Sequence, residues 1–242
     1  MNVCKKHYQK DKLTLGTQYY NLAVYYYSSD NNEKVLSFAD KAITEIETIN
    51  KTQPYFLGVV LLLKGKCLAQ EKKWQLALPI FEKSINSFKK VNEKDEAQFI
   101  RDATLLSYRW FLRACSETQK YNKGIVVFKN NERKLLSQPI NKNSIAVILD
   151  AAVLFLDSKQ YNITQQYCLQ ALSLASQLKI DNDLDLTING TKWILALAYY
   201  KDKKLSQAIN NKKYDIVIVS DYRLREYLNY TDITIHITSS QR

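Results

Sequence analysis

The stretch YNLAVYYYSSDNNEKVLSFADKAI, residues 20–43, decides the fold of this chain. Apolar residues recur at spacings of three and four on both sides of a polar break, SSDNN, which combines turn residues with candidate helix N-caps. The pattern predicts two amphipathic helices joined by a tight turn. Ala23 and Ala39 are small enough to let the two helices approach closely, and Tyr26 fills the space beside them.

The same outline returns four more times along the chain, at residues 62–85, 109–135, 149–172 and 193–209. Each copy has an apolar first helix, a short polar turn, and a second helix with a small residue near an aromatic or apolar one. A helix pair of this kind does not bury its apolar face alone, so the copies are expected to stack. Equivalent second-helix residues lie 40 to 47 positions apart, and they are Val35, Ala77, Gly124, Thr164 and Ala208.

These copies resemble tetratricopeptide repeats, helix-turn-helix units with an L-[GA]-x-x-Y pattern in the first helix and A…[FY]…A in the second. The resemblance implies an all-α fold, a superhelical array of about five helix pairs. The repeats are longer than the standard unit, and the pattern of the fifth second helix fails after Ala208. The matching residues are Leu22, Ala23, Tyr26, Val35, Ala39 and Ala42; Gly65, Leu68, Trp74, Ala77, Phe81 and Ser84; Tyr121, Gly124 and Phe128; Ala152, Phe155, Tyr161, Cys168 and Ala171; and Leu195, Ala196, Tyr199 and Ala208.

Composition agrees with a helical fold and indicates a cellular compartment. Only 5 Gly and 3 Pro occur in 242 residues, too few for the many turns of an all-β protein. The longest strong apolar run is too short to span a bilayer, and the first residues show no apolar signal segment. Widely spaced cysteines in apolar helical runs favour buried thiols over disulfides. We therefore expect a cytoplasmic location for the protein, with cysteines Cys4, Cys67, Cys115 and Cys168 reduced.

The pattern changes from Tyr214 onward. YDIVIVS is β-branched, DYRLREYL is compatible with a short helix, and DITIHIT alternates with period two, so strand, helix and strand are expected. A continued helix is the alternative. We expect an N-terminal segment at 1–16, a repeat domain at 17–211 and this tail at 212–242. We hypothesise that the tail forms a homodimer contact, because two strands alone are marginally stable and leave open edges.

Catalytic motifs are missing from the sequence. It contains no phosphate-binding glycine loop and no G-x-S-x-G, and its two histidines, His7 and His236, lie near the ends. Cys4 and His7 have the spacing of metal ligands but lack a second pair. The sequence therefore predicts a protein that is not an enzyme and that needs no cofactor or metal.

Binding is the remaining function, and the resemblance implies where it occurs, since the first helices of such arrays line a concave groove. Arg109 and Arg113, one helical turn apart, are expected to clamp a carboxylate, and Asn21 is expected to bond a peptide backbone. Alternatives stay open, because Trp110 and Trp193 suit a core and Asp150 suits an ion pair with Arg109 or Arg113. The full set of expected peptide-binding residues is Tyr20, Asn21, Tyr27, Lys66, Arg109, Trp110, Arg113, Asp150, Trp193 and Tyr200.

The sequence thus predicts a cytoplasmic binding module, a regulator or receptor that takes a peptide or protein segment in its groove. Five long copies rich in Tyr, Asn and Lys also resemble the sensor domains of peptide-pheromone receptors from Gram-positive bacteria, of the Rgg, PlcR and Rap types. The DNA-reading receptors carry an N-terminal helix-turn-helix, whereas about sixteen residues precede the first copy here, so we expect either that this chain lacks the DNA-binding head or that it acts by protein contact alone. The net charge of +11 permits an alternative, a nucleic-acid-associated accessory protein. A protein–protein scaffold is a further alternative, and we expect no membrane contact.

Overall fold

The structure, a computed structural model, describes residues 2–48, 54–91, 98–137, 139–179, 182–202, 215–217 and 236–238; the side chains of residues 2–10, 183, 215–217 and 236–238 lie outside this description. Helices dominate these residues, so the predicted all-α repeat fold is confirmed. The described elements are α1 (Asn2–Ser28), α2 (Asn32–Glu47), α3 (Pro54–Gln70), α4 (Trp74–Phe88), α5 (Gln98–Glu117), α6 (Tyr121–Leu135), α7 (Lys142–Asp157), α8 (Tyr161–Ala175), α9 (Asn182–Lys201), β1 (Asp215–Val217) and β2 (His236–Thr238).

The turns after α1, α3, α5 and α7 each contain one residue with a left-handed backbone, at the same place in the turn. Asp30, Lys72, Gln119 and Lys159 all have positive φ, between 52° and 62°, although none of them is glycine. The amide of each donates a hydrogen bond to the carbonyl three residues before it, at 2.9 to 3.3 Å. Such left-handed residues end helices by satisfying the last carbonyl groups. We call these four the turn residues, and counting back from them aligns the helices of the repeats.

The two helices of a pair approach closely, but the first two pairs do so by different means. In the second pair, a Cβ atom added at Gly65 of α3 would lie 2.7 Å from Cδ1 of Phe81 in α4, so glycine is required there. In the first pair, the equivalent of Gly65 is the buried Ala23. There Tyr26 stacks on Phe38 of α2 with ring centroids 5.5 Å apart and an interplanar angle of 1°. This agrees with the predicted packing role of Tyr26.

The predicted turn and cap in SSDNN are confirmed. The side-chain oxygen of Asn31 accepts a hydrogen bond from the amide of Lys34 at 3.2 Å, which caps the start of α2. Helix α7 starts in the same way, because Asn141 accepts from the amide of Ser144 at 3.0 Å. Asparagine thus sets the beginning of two helices in different pairs.

The chain divides into two compact units, Met1–Gln119 and Lys120–Arg242. In the first unit, α3 packs against α2, α4 and α5, and most of its residues are buried. In the second unit, α7 packs against α6, α8 and α9, and most of its residues are buried. Helix α1 runs without interruption from Asn2, so the expected N-terminal segment is helical from that residue onward. The expected domain boundaries stay a prediction.

The tail contains the two strands that its sequence predicts. β1 and β2 pair antiparallel, with Ile216 opposite Ile237, and β2 lies beside α9 within the second unit. The short helix expected between the strands and the second helix of the fifth copy lie outside the described residues.

Candidate functional site

Three first helices of the first unit carry candidate residues at equivalent positions. Tyr20 and Arg109 lie ten residues before their turn residues, Lys66 and Arg113 lie six before, and Tyr27 lies three before. Since α3 contacts both α1 and α5, these positions form one surface across the three helices. We call this surface, made of the positions ten, six and three before the turn residues of α1, α3 and α5, the inner face.

Lys66 is the cation at the centre of the inner face. Its ammonium nitrogen lies 4.9 Å from the centroid of the Tyr27 ring, across the contact between α3 and α1. Burial lowers the pKa of Lys66 below its ordinary value. Within the described residues it has no carboxylate partner, whereas Lys64, two positions earlier, forms a salt bridge with Asp40 of α2. Lys66 is therefore a partly desolvated positive charge whose stabilising contact, among the described residues, is the Tyr27 ring.

Neutral polar groups surround this lysine. The Tyr20 ring packs edge-on against Phe56 of α3, with ring centroids 5.4 Å apart. Burial raises the pKa of both Tyr20 and Tyr27, so their hydroxyls stay protonated at neutral pH and remain hydrogen-bond donors. Asn21 is exposed on the next position of α1. In the part of the chain that the structure describes, the polar side-chain groups of these three residues make no hydrogen bond.

Trp110 and Arg113 of α5 form a second part of the candidate site. The Trp110 ring is stacked on Trp74 and Phe81 of α4, at centroid distances of 6.3 and 6.0 Å. The structure therefore supports the packing interpretation of Trp110. Its other contact is the Arg113 guanidinium, 5.5 Å from the ring centroid. Trp110 thus orients Arg113 from the interior, and Arg109, also half-buried, lies one turn away on the same helix.

The other three expected residues belong to the second unit. Asp150 is buried in the middle of α7, Trp193 is half-buried in α9, and Tyr200 is exposed near the end of α9. The inner face and its immediate surroundings therefore contain seven of the ten expected residues: Tyr20, Asn21, Tyr27, Lys66, Arg109, Trp110 and Arg113.

An aromatic group at the beginning of α3 and α5 was missed by the sequence reading. Tyr55 contacts Phe99 and Phe88 with ring centroids 5.3 and 5.9 Å apart, and Phe99 is exposed. Tyr55 and Phe56 lie about two helical turns before residue 62, the first residue of the second copy in the sequence pattern. The signal that finds them is Pro54, a residue typical of the first position of a helix.

No helix in the described part of the chain is both long and apolar enough to cross a bilayer. The described residues also contain no group of three or more His, Cys, Asp or Glu side chains placed to hold a metal ion. Three cysteines, Cys67, Cys115 and Cys168, are buried free thiols. Burial raises the pKa of Cys67 to about 11, so this thiol is un-ionised and unreactive near neutral pH.

Paired helices, left-handed turn residues and close glycine–aromatic packing define the class of this fold as a TPR-like helical repeat. Comparison with solved structures agrees. The crystal structure of a putative kinesin light chain from Podosopora anserina, described as having nearly identical TPR-like repeats, matches with a TM-score of 0.60 and 11% sequence identity, over 80% of this chain and 89% of that chain. At this identity the likeness concerns the fold alone. No protein-family model and no curated protein matches the sequence.

Proposed function

We propose that this protein is a non-catalytic binding module whose inner face, in the first unit, takes a peptide or protein segment that presents a carboxylate. The observation that carries the proposal is Lys66, a half-buried ammonium that Tyr27 contacts and that no described carboxylate neutralises. A cation held this way loses part of its hydration without gaining an ion pair. A ligand carboxylate would neutralise the Lys66 ammonium by accepting a charge-assisted hydrogen bond from it.

The neighbouring groups suit the rest of such a ligand. The Tyr20 and Tyr27 hydroxyls donate hydrogen bonds, and the Asn21 amide both donates and accepts, as a peptide backbone requires. Arg109 and Arg113 supply further positive charge on α5, and Trp110 holds Arg113 in place. The aromatic group around Tyr55 and Phe99 offers apolar surface for a side chain of the ligand.

More specific parts of the proposal concern biological role and assembly. A cytoplasmic receptor or regulator, comparable to the sensor domains of peptide-pheromone receptors, is consistent with an inner face suited to short peptides and with buried free thiols. Asp150, Trp193 and Tyr200 stay proposed peptide-binding residues of the second unit, considered by itself. Self-association through the tail is tested by deleting residues 214–242 and measuring the native mass. If the tail forms the contact, the mass should fall from that of a dimer to that of the shortened monomer.

The test of carboxylate binding is calorimetry with a library of short peptides, each made with a free C-terminal carboxylate and again as the amide. We expect binding that weakens at least tenfold on amidation and that is lost in Lys66→Met. The matched control is Lys64→Met, on the same helix but already paired with Asp40, which should bind normally. Equal binding by Lys66→Met and the unaltered protein would refute the proposal.

A duplex DNA titration separates this function from the nucleic-acid alternative. The net charge of +11 permits non-specific attraction, which must weaken steeply as salt rises because counterions are released. Duplex binding that is salt-dependent and indifferent to Lys66→Met would favour the nucleic-acid role. Absence of duplex binding at low salt would exclude it.

A further inference from the structure

Helix α6 carries an exposed face on which every charged side chain is positive. Lysine or arginine is exposed at positions 123, 129, 133 and 134 of the helix, and exposed Lys120 precedes its first residue. The helical spacing keeps the four cations of the helix within about 140° around its axis. We call these five cations the basic face, and they are Lys120, Lys123, Lys129, Arg133 and Lys134.

The carboxylate of α6, Glu132, offsets only one of these cations. Glu132 is half-buried and accepts a hydrogen bond at 3.0 Å from the hydroxyl of Tyr167 in α8. Its other carboxylate oxygen lies 3.4 Å from the ammonium nitrogen of Lys129, which also donates to the Tyr167 hydroxyl. Glu132 is thus directed towards α8, and it leaves the exposed side of α6 without a negative charge.

The helices packed around α6 add no exposed negative charge. Helix α8 contains no charged residue, and the carboxylates of α7 are Asp150, which is buried, and Asp157, which is half-buried. Asp185 is exposed on α9, but α9 packs against α7 and α8. Among the described residues from 120 to 179, every exposed charged side chain is therefore positive.

A second helix of another pair shows that this is not a general property of the repeats. The exposed charged residues of α2 include both signs, and they are Glu33, Lys34, Asp40, Lys41 and Glu47. A face of mixed sign is what solubility alone requires. A large field of one sign, such as that of the basic face, attracts ligands of the opposite charge.

We propose that the basic face binds the phosphate backbone of double-stranded DNA. Lysine, arginine and asparagine side chains are the usual donors to phosphate oxygens. The exposed side chains of Asn122 and Asn130 lie along the face, with Lys123 to one side of them and Lys129 and Arg133 to the other. A helix of 15 residues, about 22 Å long, fits the major groove of B-DNA, where cations on its two sides meet the phosphates of both strands.

The side chains of the face argue against other polyanions. Protein interfaces are enriched in aromatic residues and depleted in lysine, whereas the exposed apolar residue of α6 is Val126 alone. Single strands stack their bases on exposed aromatic rings, but Tyr121 is half-buried and Phe128 is fully buried. The apolar side of α6 packs within the second unit, so it is not available to a membrane. The major groove of duplex RNA is too narrow and deep for a helix.

The test is a titration of the full chain with a short fluorescent DNA duplex of arbitrary sequence, followed by anisotropy at several salt concentrations. We expect binding at low salt that weakens steeply as salt rises, because counterions are released. Lys123→Gln combined with Arg133→Gln should weaken binding about tenfold and reduce the slope of log K against log salt by about 2. The matched control removes the same charge from the mixed face of α2, as Lys34→Gln combined with Lys41→Gln, and should bind like the unaltered protein.

Circular dichroism of each variant keeps the test decisive. If the α6 double variant loses helical signal, Arg133→Gln alone decides, and it should reduce the salt slope by about 1. Absence of duplex binding at low salt would overturn the proposal. Equal weakening by the α6 and α2 variants would overturn it too, because binding would then follow net charge alone. Equally tight binding of polyglutamate, anionic vesicles, single-stranded DNA or duplex RNA at the same salt would overturn duplex DNA as the ligand.

Discussion

Helices α1 and α3 occupy the same position in neighbouring repeats and have opposite environments. Helix α3 is wedged between α2, α4 and α5 and is buried along most of its length. Helix α1 packs mainly on α2, and among its residues from 11 onward only Gly16 and Ala23 are buried. The comparison teaches that equivalent repeat positions are mostly buried in α3 but mostly exposed or half-buried in the described part of α1.

The two helix pairs also differ in the residues that pack them together, and the packing residues of the first pair are again the less buried ones. Nine residues after the turn residue, α4 carries the ring of Phe81, which presses on Gly65, whereas α2 carries only Ala39. The first pair compensates with Tyr26 of α1 and Phe38 of α2, whose stacked rings are only half-buried. Substitutions in the second pair should therefore cost more stability than substitutions at matched positions of the first.

The largest expected effect is that of Phe81→Ala. The ring is fully buried between Gly65 and Trp110, so its removal leaves a cavity that rigid neighbours do not fill. We expect a loss of about 3–5 kcal/mol in the free energy of unfolding, measured with urea. Leu76→Ala, at an exposed position of the same helix, is the control and should change it by less than about 0.5 kcal/mol. Similar losses in both variants would contradict the packing described here.

The next effect is that of Gly65→Ala. Alanine favours a helix over glycine by roughly 1 kcal/mol, but its methyl group would collide with the Phe81 ring. We expect a net destabilisation of about 1–3 kcal/mol. At Gly190 of α9 the nearest atom to an added Cβ is 3.5 Å away, in Leu149, so Gly190→Ala should be neutral or stabilising. Equal thermal shifts in the two variants would show that the close approach of α3 and α4 is not real.

A smaller effect separates two adjacent tyrosines of α1. Tyr26→Ala removes the ring stacked on Phe38 and should cost about 1–2 kcal/mol. Tyr25→Ala removes an exposed ring whose described ring contact is an edge-on one with Tyr26, so it should cost less than about 0.5 kcal/mol. Thermal melts of both variants check the order, and the reverse order would mean that the faces of α1 are assigned wrongly.

The smallest effect on stability concerns Lys66. Burial lowers the pKa of Lys66 in the fold, so the unfolded chain binds the proton more readily and the charge opposes folding below the lowered pKa. Lys66→Met should therefore be slightly stabilising at neutral pH. The advantage should shrink as pH rises through the lowered pKa towards the ordinary value, because the unaltered protein then loses the penalty. A stability advantage of Lys66→Met that stays constant over this pH range would refute desolvation of the Lys66 charge as its cause.

Local patterns in the sequence were sufficient for the repeat architecture. The SSDNN turn and the two strands of the tail follow from local residue patterns, and the small residue at position 23 and the packing of Tyr26 follow from the match to the repeat motif. All of these depend on residues close together in the chain or on a repeated motif, which one sequence contains in full.

Other features depend on tertiary contacts that spacing does not reveal. Lys64 and Lys66 look alike in sequence, yet one is paired with Asp40 and the other contacts Tyr27, because neighbouring helices decide what each side chain meets. Trp110 was expected in the groove, and the structure packs it on α4. The exposure of Leu15 and Leu22 also escaped sequence analysis, because apolar residues at helical spacing predict burial.

The central claim, that the inner face binds a carboxylate through Lys66, is tested most directly by one calorimetric comparison. The best-binding peptide of the library, with a free carboxylate, is titrated into the unaltered protein, Lys66→Met and Lys64→Met. We predict loss of heat and affinity in Lys66→Met alone, with Lys64→Met indistinguishable from the unaltered protein. Binding that survives in Lys66→Met, or that both lysine variants weaken equally, would contradict the claim.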